Sequence, residues 1–361
     1  MLKIAELVLI GDLMRLSKDK LKEICTNLDM PNDGPASELV SKIWIRMKES
    51  EETRHRVFEA SQEHIFGGKT SVSWYKFSDG IKGLREIIQQ NHTAFNPFET
   101  LHMPLTEHIS SDPVLIGAAQ GVKEHEYYLK YTYKVGVTRE IILDNIETRP
   151  KTATTTLYVN EEEGFIEVRT DPKNAEKIAK GFAQLIRQQV IMDPVRVMAP
   201  FGYNAEDLAD ALGGELIDTV GKPNITLDEF TQSQASSVVT ILSALDSYFE
   251  NEDISELQTN LQEARQSLGE EFSAIPFTAL ILNGMEKVGM GVKERDLRGT
   301  PLYDYLKTSI EHQGCFIQFP VEEDGVRTTH TIRVGMQSNS IFFMSQASEA
   351  AIDFVRKRVI M

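Results

Sequence analysis

The sequence predicts an α+β protein: antiparallel sheet with helices packed on it, a small helical domain in front, and an inserted helical hairpin. Three observations carry that expectation. Residues 127–135 and 154–170 are rich in β-branched and aromatic side chains and are broken by turn residues. Apolar residues recur at helical spacing in 21–28, 39–47 and 175–186. A plan of paired strands followed by a helix occurs near 154–190 and again near 315–359, with slight identity between the two. The 361 residues have room for two or three domains with real cores. A hydrophobic fraction of 41% and a charged fraction of 25% are ordinary for globular chains.

In chain order, MLKIAELVLIGDLMRL is apolar but too short to cross a membrane, and Glu6 and Asp12 argue against a signal peptide. Ser17 is placed to cap a helix, with Asp19 in the first turn where the dipole favours a carboxylate. Leu21, Ile24, Cys25 and Leu28 form its apolar face; Pro31 and Gly34-Pro35 end it and turn the chain. Ser37 is expected to cap a second helix with Leu39, Val40, Ile43, Trp44 and Met47 inward. Lys18, Lys20, Lys22, Lys42 and Arg46 fall on the remaining faces.

This stretch, about 16–48, resembles the SAP family, a helix–turn–helix module that usually binds DNA. The matching residues are Leu21-Lys22-Glu23-Ile24-Cys25, Leu28-Asp29-Met30-Pro31, Gly34, and Glu38-Leu39-Val40-Ser41-Lys42-Ile43. The resemblance implies that the five cations named above meet phosphate. It departs from the family after the turn glycine, where Pro35, Ala36 and Ser37 stand in place of the usual Lys or Arg.

Residues 48–61 read as a charged helix. Phe66-Gly67-Gly68-Lys69-Thr70 lacks the first glycine of a phosphate loop and runs into strand-like Ser71-Val72-Ser73-Trp74-Tyr75. A phosphate loop must feed a helix, so this is a turn before a strand. Lys69 and Lys76, with Lys82, Arg85, Trp74 and Tyr75, form the best basic–aromatic cluster after the module. Residues 91–121, rich in Pro, His, Asn and Ser, read as a linker or packed loop.

Strands are expected at 127–135, 139–146, 154–159 and 165–170, the last two as a hairpin around Asn160–Gly164. Asp171 and Pro172 then open a helix with Ala175, Ile178, Ala179, Phe182, Leu185 and Ile186 inward. A short helix is read at 205–212, and two acidic helices at 227–251 and 254–268 form a helical hairpin. A helix is expected at 302–312, strands at 315–321, 328–334 and 341–344 with a turn at 322–325, and a closing helix at 348–359. The segments are therefore 1–62, 63–121, 122–200, 201–275 and 276–361.

The chemistry is sparse. Nucleophile elbow, metalloprotease, dinucleotide and Walker patterns are missing from the sequence, and no cofactor or metal is implied. The best enzyme reading is a magnesium-dependent nuclease using Asp144 and Glu167 beside Arg169; solvent-facing strand charges explain the same alternation more simply. Arg295, Asp296 and Arg298 lie in a glycine-rich connection that could approach a backbone. Cys25 and Cys315 read as reduced, buried thiols. A net charge of −16 repels phosphate at long range, so DNA contact needs a local basic surface. The resulting expectation is a cytoplasmic, DNA-associated, non-enzymatic accessory or sensor subunit of a prokaryotic defence or DNA-processing complex, with protein partners and an open oligomeric state. A nuclease is the first alternative; a subunit whose acidic helices dock a basic protein without touching nucleic acid is the second.

Overall fold

The structure, a computed structural model, describes residues 1–77, 81–186, 192–223, 232–251, 254–268, 288–291, 296–307, 310–323 and 325–361. Glu252, Asp253, Arg295 and Asp324, and the expected helix start at 227–231, lie outside these residues. The fold is α+β, with an N-terminal helical region and a large antiparallel sheet. Two compact units are formed: the first from 1–214 and 318–361, the second from 215–317.

The first unit opens with a 3₁₀ turn (Ile4–Leu7) and a short helix α1 (Ile10–Leu13). Helices α2 (Lys18–Asn27), α3 (Ala36–Glu49) and α4 (Glu51–Ser61) follow. Ser17 caps α2 as expected, its Oγ accepting the Lys20 N–H at 3.2 Å. Pro35 takes the cap position of α3, and Ser37 lies inside that helix. Leu21, Ile24, Cys25, Leu39, Val40, Ile43 and Met47 are buried together with Val57 of α4, so the helical pair packs against its own unit.

Strand β1 (Ser71–Phe77) comes next, then α5 (Leu84–Asn91), β2 (Val114–Gln120), β3 (Glu126–Ile142), β4 (Asn145–Asn160), β5 (Phe165–Arg169), α6 (Pro172–Ile186), β6 (Met192–Pro194) and α7 (Ala205–Ala211). β2 lies inside the expected linker; its run Val-Leu-Ile-Gly-Ala-Ala is apolar throughout and carries no alternation, because both of its faces are covered. The expected strands at 127–135 and 139–146 are not separate. The first runs on as β3 to Ile142, and Asn145 opens β4.

In this unit the strand order is β2-β3-β4-β5-β1, continued by three C-terminal strands. Those are β11 (Ser340–Phe343), β10 (Val326–Gly335) and residues 318–323 of β9 (Ile310–Glu323). Both paired-strand units therefore belong to one sheet, joined through β1, which pairs antiparallel with β5 and with β11. One face carries Tyr75, Leu129, Tyr131, Leu157, Val159, Ile166 and Val168 under α5 and α6. The alternate residues Trp74, Tyr128, Lys130, Thr156, Tyr158, Glu167 and Arg169 face the other way, where Asp12 of α1 and Arg356 bond to them. Arg356 opens a π-helical turn (Arg356–Ile360) directly after the closing helix Glu349–Val355, which Ser348 caps.

Beyond Lys134, where a bulge shifts the register, β3 and β4 pair only with each other. They form a two-stranded arm about 25 Å long. Its two-residue turn is Leu143-Asp144, and Leu143 adopts a left-handed φ of 57°. Ile141, Leu143 and Ile146 at the tip are 78%, 95% and 68% exposed.

The second unit holds β7 (Glu215–Pro223) paired antiparallel with β8 (Val288–Gly291), and residues 310–317 of β9. Its helices α8 (Gln232–Asn251) and α9 (Ile254–Leu268) bury Ile241, Ala264 and Leu268 against one another, as the expected helical hairpin requires. α10 (Pro301–Leu306) is shorter than the expected 302–312 helix. Ile310–His312 belong to β9 instead, where Ile310 is buried and His312 Nδ1 lies 2.7 Å from the Thr219 hydroxyl. The helix at Glu349–Val355, α11, completes the chain in the first unit.

Candidate anion-binding site

At the ends of β5, β1, β11 and β10 the first unit opens a cleft of about 500 Å³. The antiparallel pairings bring its lining together. β1 contributes Lys69, Thr70 and Ser71 at its start, and β5 contributes Arg169 and Thr170 at its finish. β10 and β11 contribute Arg333, Gly335, Ser338, Ser340 and Phe342. Arg15, in the connection from α1 to α2, and Asp171-Pro172, at the start of α6, close it.

The cleft is cationic. Among the described residues, none of Arg15, Lys69 and Arg333 has a carboxylate within ion-pair distance. Arg15 Nη2 donates to the Thr154 carbonyl at 3.2 Å, while its Nη1 is buried without a hydrogen-bond partner among the described residues. Arg333 lies over the Phe342 ring at 5.4 Å. Hydroxyls of Thr70, Ser71, Thr170, Ser338 and Ser340 line the space between the cations; Thr70 and Ser338 donate to the Ser71 and Ser340 carbonyls at 3.3 and 3.0 Å, and Thr170 bonds the Tyr133 hydroxyl at 2.8 Å. The one carboxylate in the lining, Asp171, is engaged: its Oδ1 accepts the Lys173 N–H at 2.9 Å. Unneutralised cations, hydroxyls and a helix start converging on a concave surface suit an oxyanion.

The backbone around Lys69 is held tightly. Gly67 approaches Ala347 so closely that a Cβ there would lie 2.3 Å from the Ala347 carbonyl oxygen, and Gly68 has a left-handed φ of 72°. The Gly67-Gly68-Lys69-Thr70 run is thus a turn before a strand, as its sequence implies, and it delivers Lys69 and Thr70 to the cleft.

Beneath the cleft floor lies a buried ion network. Glu167 accepts from Trp74 Nε1 at 2.9 Å, Arg169 Nε at 2.8 Å, and Arg356 Nε and Nη2 at 3.0 and 2.9 Å. Arg169 also forks onto Glu349 through both terminal nitrogens. Lys130 reaches Asp12 at 2.6 Å and the Thr156 hydroxyl at 3.0 Å. Burial alone pushes the Glu167 carboxyl up; the guanidiniums of Arg356 and Arg169 outweigh it and hold the carboxyl below the usual range. Burial opposes the Arg169 charge too, and Glu349 and Glu167 more than offset that. For Lys130, burial prevails over Asp12 and lowers the ammonium pKa.

The residues singled out from sequence are distributed unevenly. Lys69 lines the cleft; Lys76 is exposed farther along β1 and does not. Lys18 is exposed at the start of α2. Lys20, Lys42 and Arg46 are paired within their helices to Glu23, Glu38 and Glu49 at 3.0, 2.9 and 3.2 Å, and of the five module cations Lys18 and Lys22 make no ion pair among the described residues. Trp74 and Tyr75 are buried, so neither offers a stacking surface. Glu167 and Arg169 are fully buried, not solvent-facing, because helices cover both faces of β5. Asp144 is exposed in the arm's turn. Glu167 pairs with Tyr158, and along β4 from there to Asn145, beside Asp144, is about 40 Å. Asp144 and Glu167 therefore cannot share a metal ion. Among the described residues no group of three His, Cys, Asp or Glu side chains could hold one.

Sequence reasoning missed Arg15, Arg333, Ser338 and Ser340. Their convergence depends on β1 pairing with β11, which no local pattern announces; the polar Gln337-Ser338-Asn339-Ser340 turn was the available signal. No helix among the described residues is long and apolar enough to cross a membrane. No protein-family model matches the chain, and no curated protein matches it.

Proposed function

We propose that this protein is a DNA-associated, non-enzymatic subunit of a larger assembly, and that it holds nucleic acid by phosphate at the cleft. The observation that carries this reading is the set of three cations without carboxylate partners among the described residues, Arg15, Lys69 and Arg333, concentrated at one concave site of a chain with net charge −16. A local basic surface of that kind is what an acidic protein needs to approach a polyanion. Arg15 lies just before α2, so the cleft borders the SAP-like helical pair, and Lys18 and Lys22 extend the same cationic stretch of chain. The arm, with its exposed Ile141, Leu143 and Ile146, supports the assembly half of the reading, since a contiguous apolar tip is a protein-docking feature.

The test is fluorescence anisotropy of labelled duplex and single-stranded DNA at low and near-physiological salt. Binding that weakens with salt is expected, and the Lys69→Glu/Arg333→Glu variant lowers the salt exponent by about 1–2. Absence of binding at low salt, or an exponent untouched by the double substitution, sinks the proposal. Cleavage of the DNA with magnesium present would replace it with a nuclease.

A further inference from the structure

The geometry points to a more specific ligand for the cleft: the phosphomonoester of a terminal nucleotide, at a strand end. This rests on the reading that the protein binds nucleic acid through phosphate, and it names which phosphate.

Size is the first argument. A space of about 500 Å³ is that of a small-molecule site. A duplex, whose major groove alone is about 12 Å wide, cannot enter it. Internal phosphates of a duplex would reach only the rim, where Lys69 and Arg333 are exposed. The remaining lining is less exposed: Thr70, Ser71 and Ser340 are buried and Arg15 is half-buried, with the Thr70 hydroxyl donating to the Ser71 carbonyl at 3.3 Å. A chain terminus is narrow enough to follow the concave surface inward from Lys69 and Arg333 toward Arg15.

Charge and shape are the second. A phosphomonoester carries about −1.5 to −2 charges and three acceptor oxygens near neutral pH, whereas a backbone phosphodiester carries one charge and two free oxygens. Three cations with only Asp171 opposing them, and that carboxylate occupied at the start of α6, match the monoester. Phe342, beneath the Arg333 guanidinium, supplies an apolar surface next to the charged set for the sugar or base of the same nucleotide.

The experiment compares one oligonucleotide in three forms, 5′-phosphorylated, 3′-phosphorylated and unphosphorylated, by anisotropy with the fluorophore placed internally. The full-length protein is used, with Lys69→Ala/Arg333→Ala as the variant. Both side chains are exposed and make no ion pair among the described residues, so their truncation leaves the fold intact, which a melting curve verifies. A phosphorylated end is expected to bind about tenfold or more tightly than the hydroxyl form, the effect of a charge-assisted hydrogen bond. The variant should lose that preference. Equal, salt-sensitive affinity for all three forms overturns the terminal-phosphate assignment and leaves the phosphate reading standing. Absence of binding in every form overturns both. A preference that survives in the variant removes the cleft as its source. Competition with adenosine 5′-monophosphate separates strand end from free nucleotide: displacement as effective as that by the phosphorylated strand overturns the strand-end assignment.

Discussion

Replacing Glu167 with Gln isolates the energetics of the ion network under the cleft. The substitution keeps the side-chain volume and removes the charge that two guanidiniums and an indole share. Removing one member of a buried ion pair costs about 3–5 kcal/mol, because the partner charge is left buried and unpaired. The compensation here is partial: Arg169 keeps Glu349, and Arg356 keeps Asp353 at 3.0 Å. The expected loss is therefore at the lower end, about 3 kcal/mol. Urea unfolding followed by tryptophan fluorescence reads it cleanly. The chain has two tryptophans, and both Trp44 and Trp74 belong to the first unit, so the signal is blind to the unfolding of 215–317. At a slope of about 1–3 kcal/mol per molar, the midpoint should fall by about 1 M or more. A fall under about 0.3 M with an unchanged slope would refute the claim that Glu167 anchors the sheet to Arg356.

Gly67→Ala forces a Cβ to within 2.3 Å of the Ala347 carbonyl, and backbone must shift to accept it. A loss of about 1–3 kcal/mol is expected, seen as a lower melting temperature, with weaker DNA binding because Lys69 is displaced. Lys130→Met strands the buried Asp12 carboxylate and should cost about 3–5 kcal/mol in a melting series; adding Asp12→Asn should recover part of it, a non-additivity that independent sites would not show. Burial pushes the Glu323 carboxyl up, and hydrogen bonds from Ser348 and His330 outweigh it, so its folded pKa lies below the ordinary value. A depressed carboxylate pKa contributes stability that is present above about pH 4.5 and is lost as pH falls through the folded value. The urea midpoints of the native protein and of Glu323→Gln should thus converge as pH falls below about 4.5; a constant gap would contradict this. Leu143→Gly relieves a left-handed backbone that costs a branched side chain about 1–2 kcal/mol, so the variant should be no less stable than the native chain by melting temperature.

Elements whose cause is local were legible in the sequence. The Asp171-Pro172 start and the apolar stripe from Ala175 to Ile186 anticipated α6, and Ser17 anticipated the start of α2. The Asn160–Gly164 loop anticipated the β4–β5 pairing. Elements caused by distant contacts were not. β2 lacks alternation because both its faces are covered, and residues 310–312 read as the end of a helix until their strand partners are known. The same reason hid most of the cleft. Lys69 could be singled out as a cation near a glycine turn, but Arg15 and Arg333 acquire meaning only when β1 lies between β5 and β11. Glu167 was misread in environment, since acid–x–base alternation on a strand looks the same whether a face meets water or a buried arginine.

The central place of β1 also has a temporal side. Two neighbours, β5 and β6, are made within about 120 residues, whereas the third, β11, is synthesised only after the whole of 215–317. At about 5–20 residues per second, β1 waits tens of seconds on the ribosome with β6 on Tyr75–Phe77 and the Ser71–Ser73 end of that edge unpaired. Through that interval Arg169 lacks Glu349, Glu167 lacks Arg356, and the short edge at Ser71–Ser73 is open to other chains. Nascent chains stalled anywhere in 215–317 are consequently the species most exposed to aggregation, and cellular handling of this protein by chaperones would concentrate there.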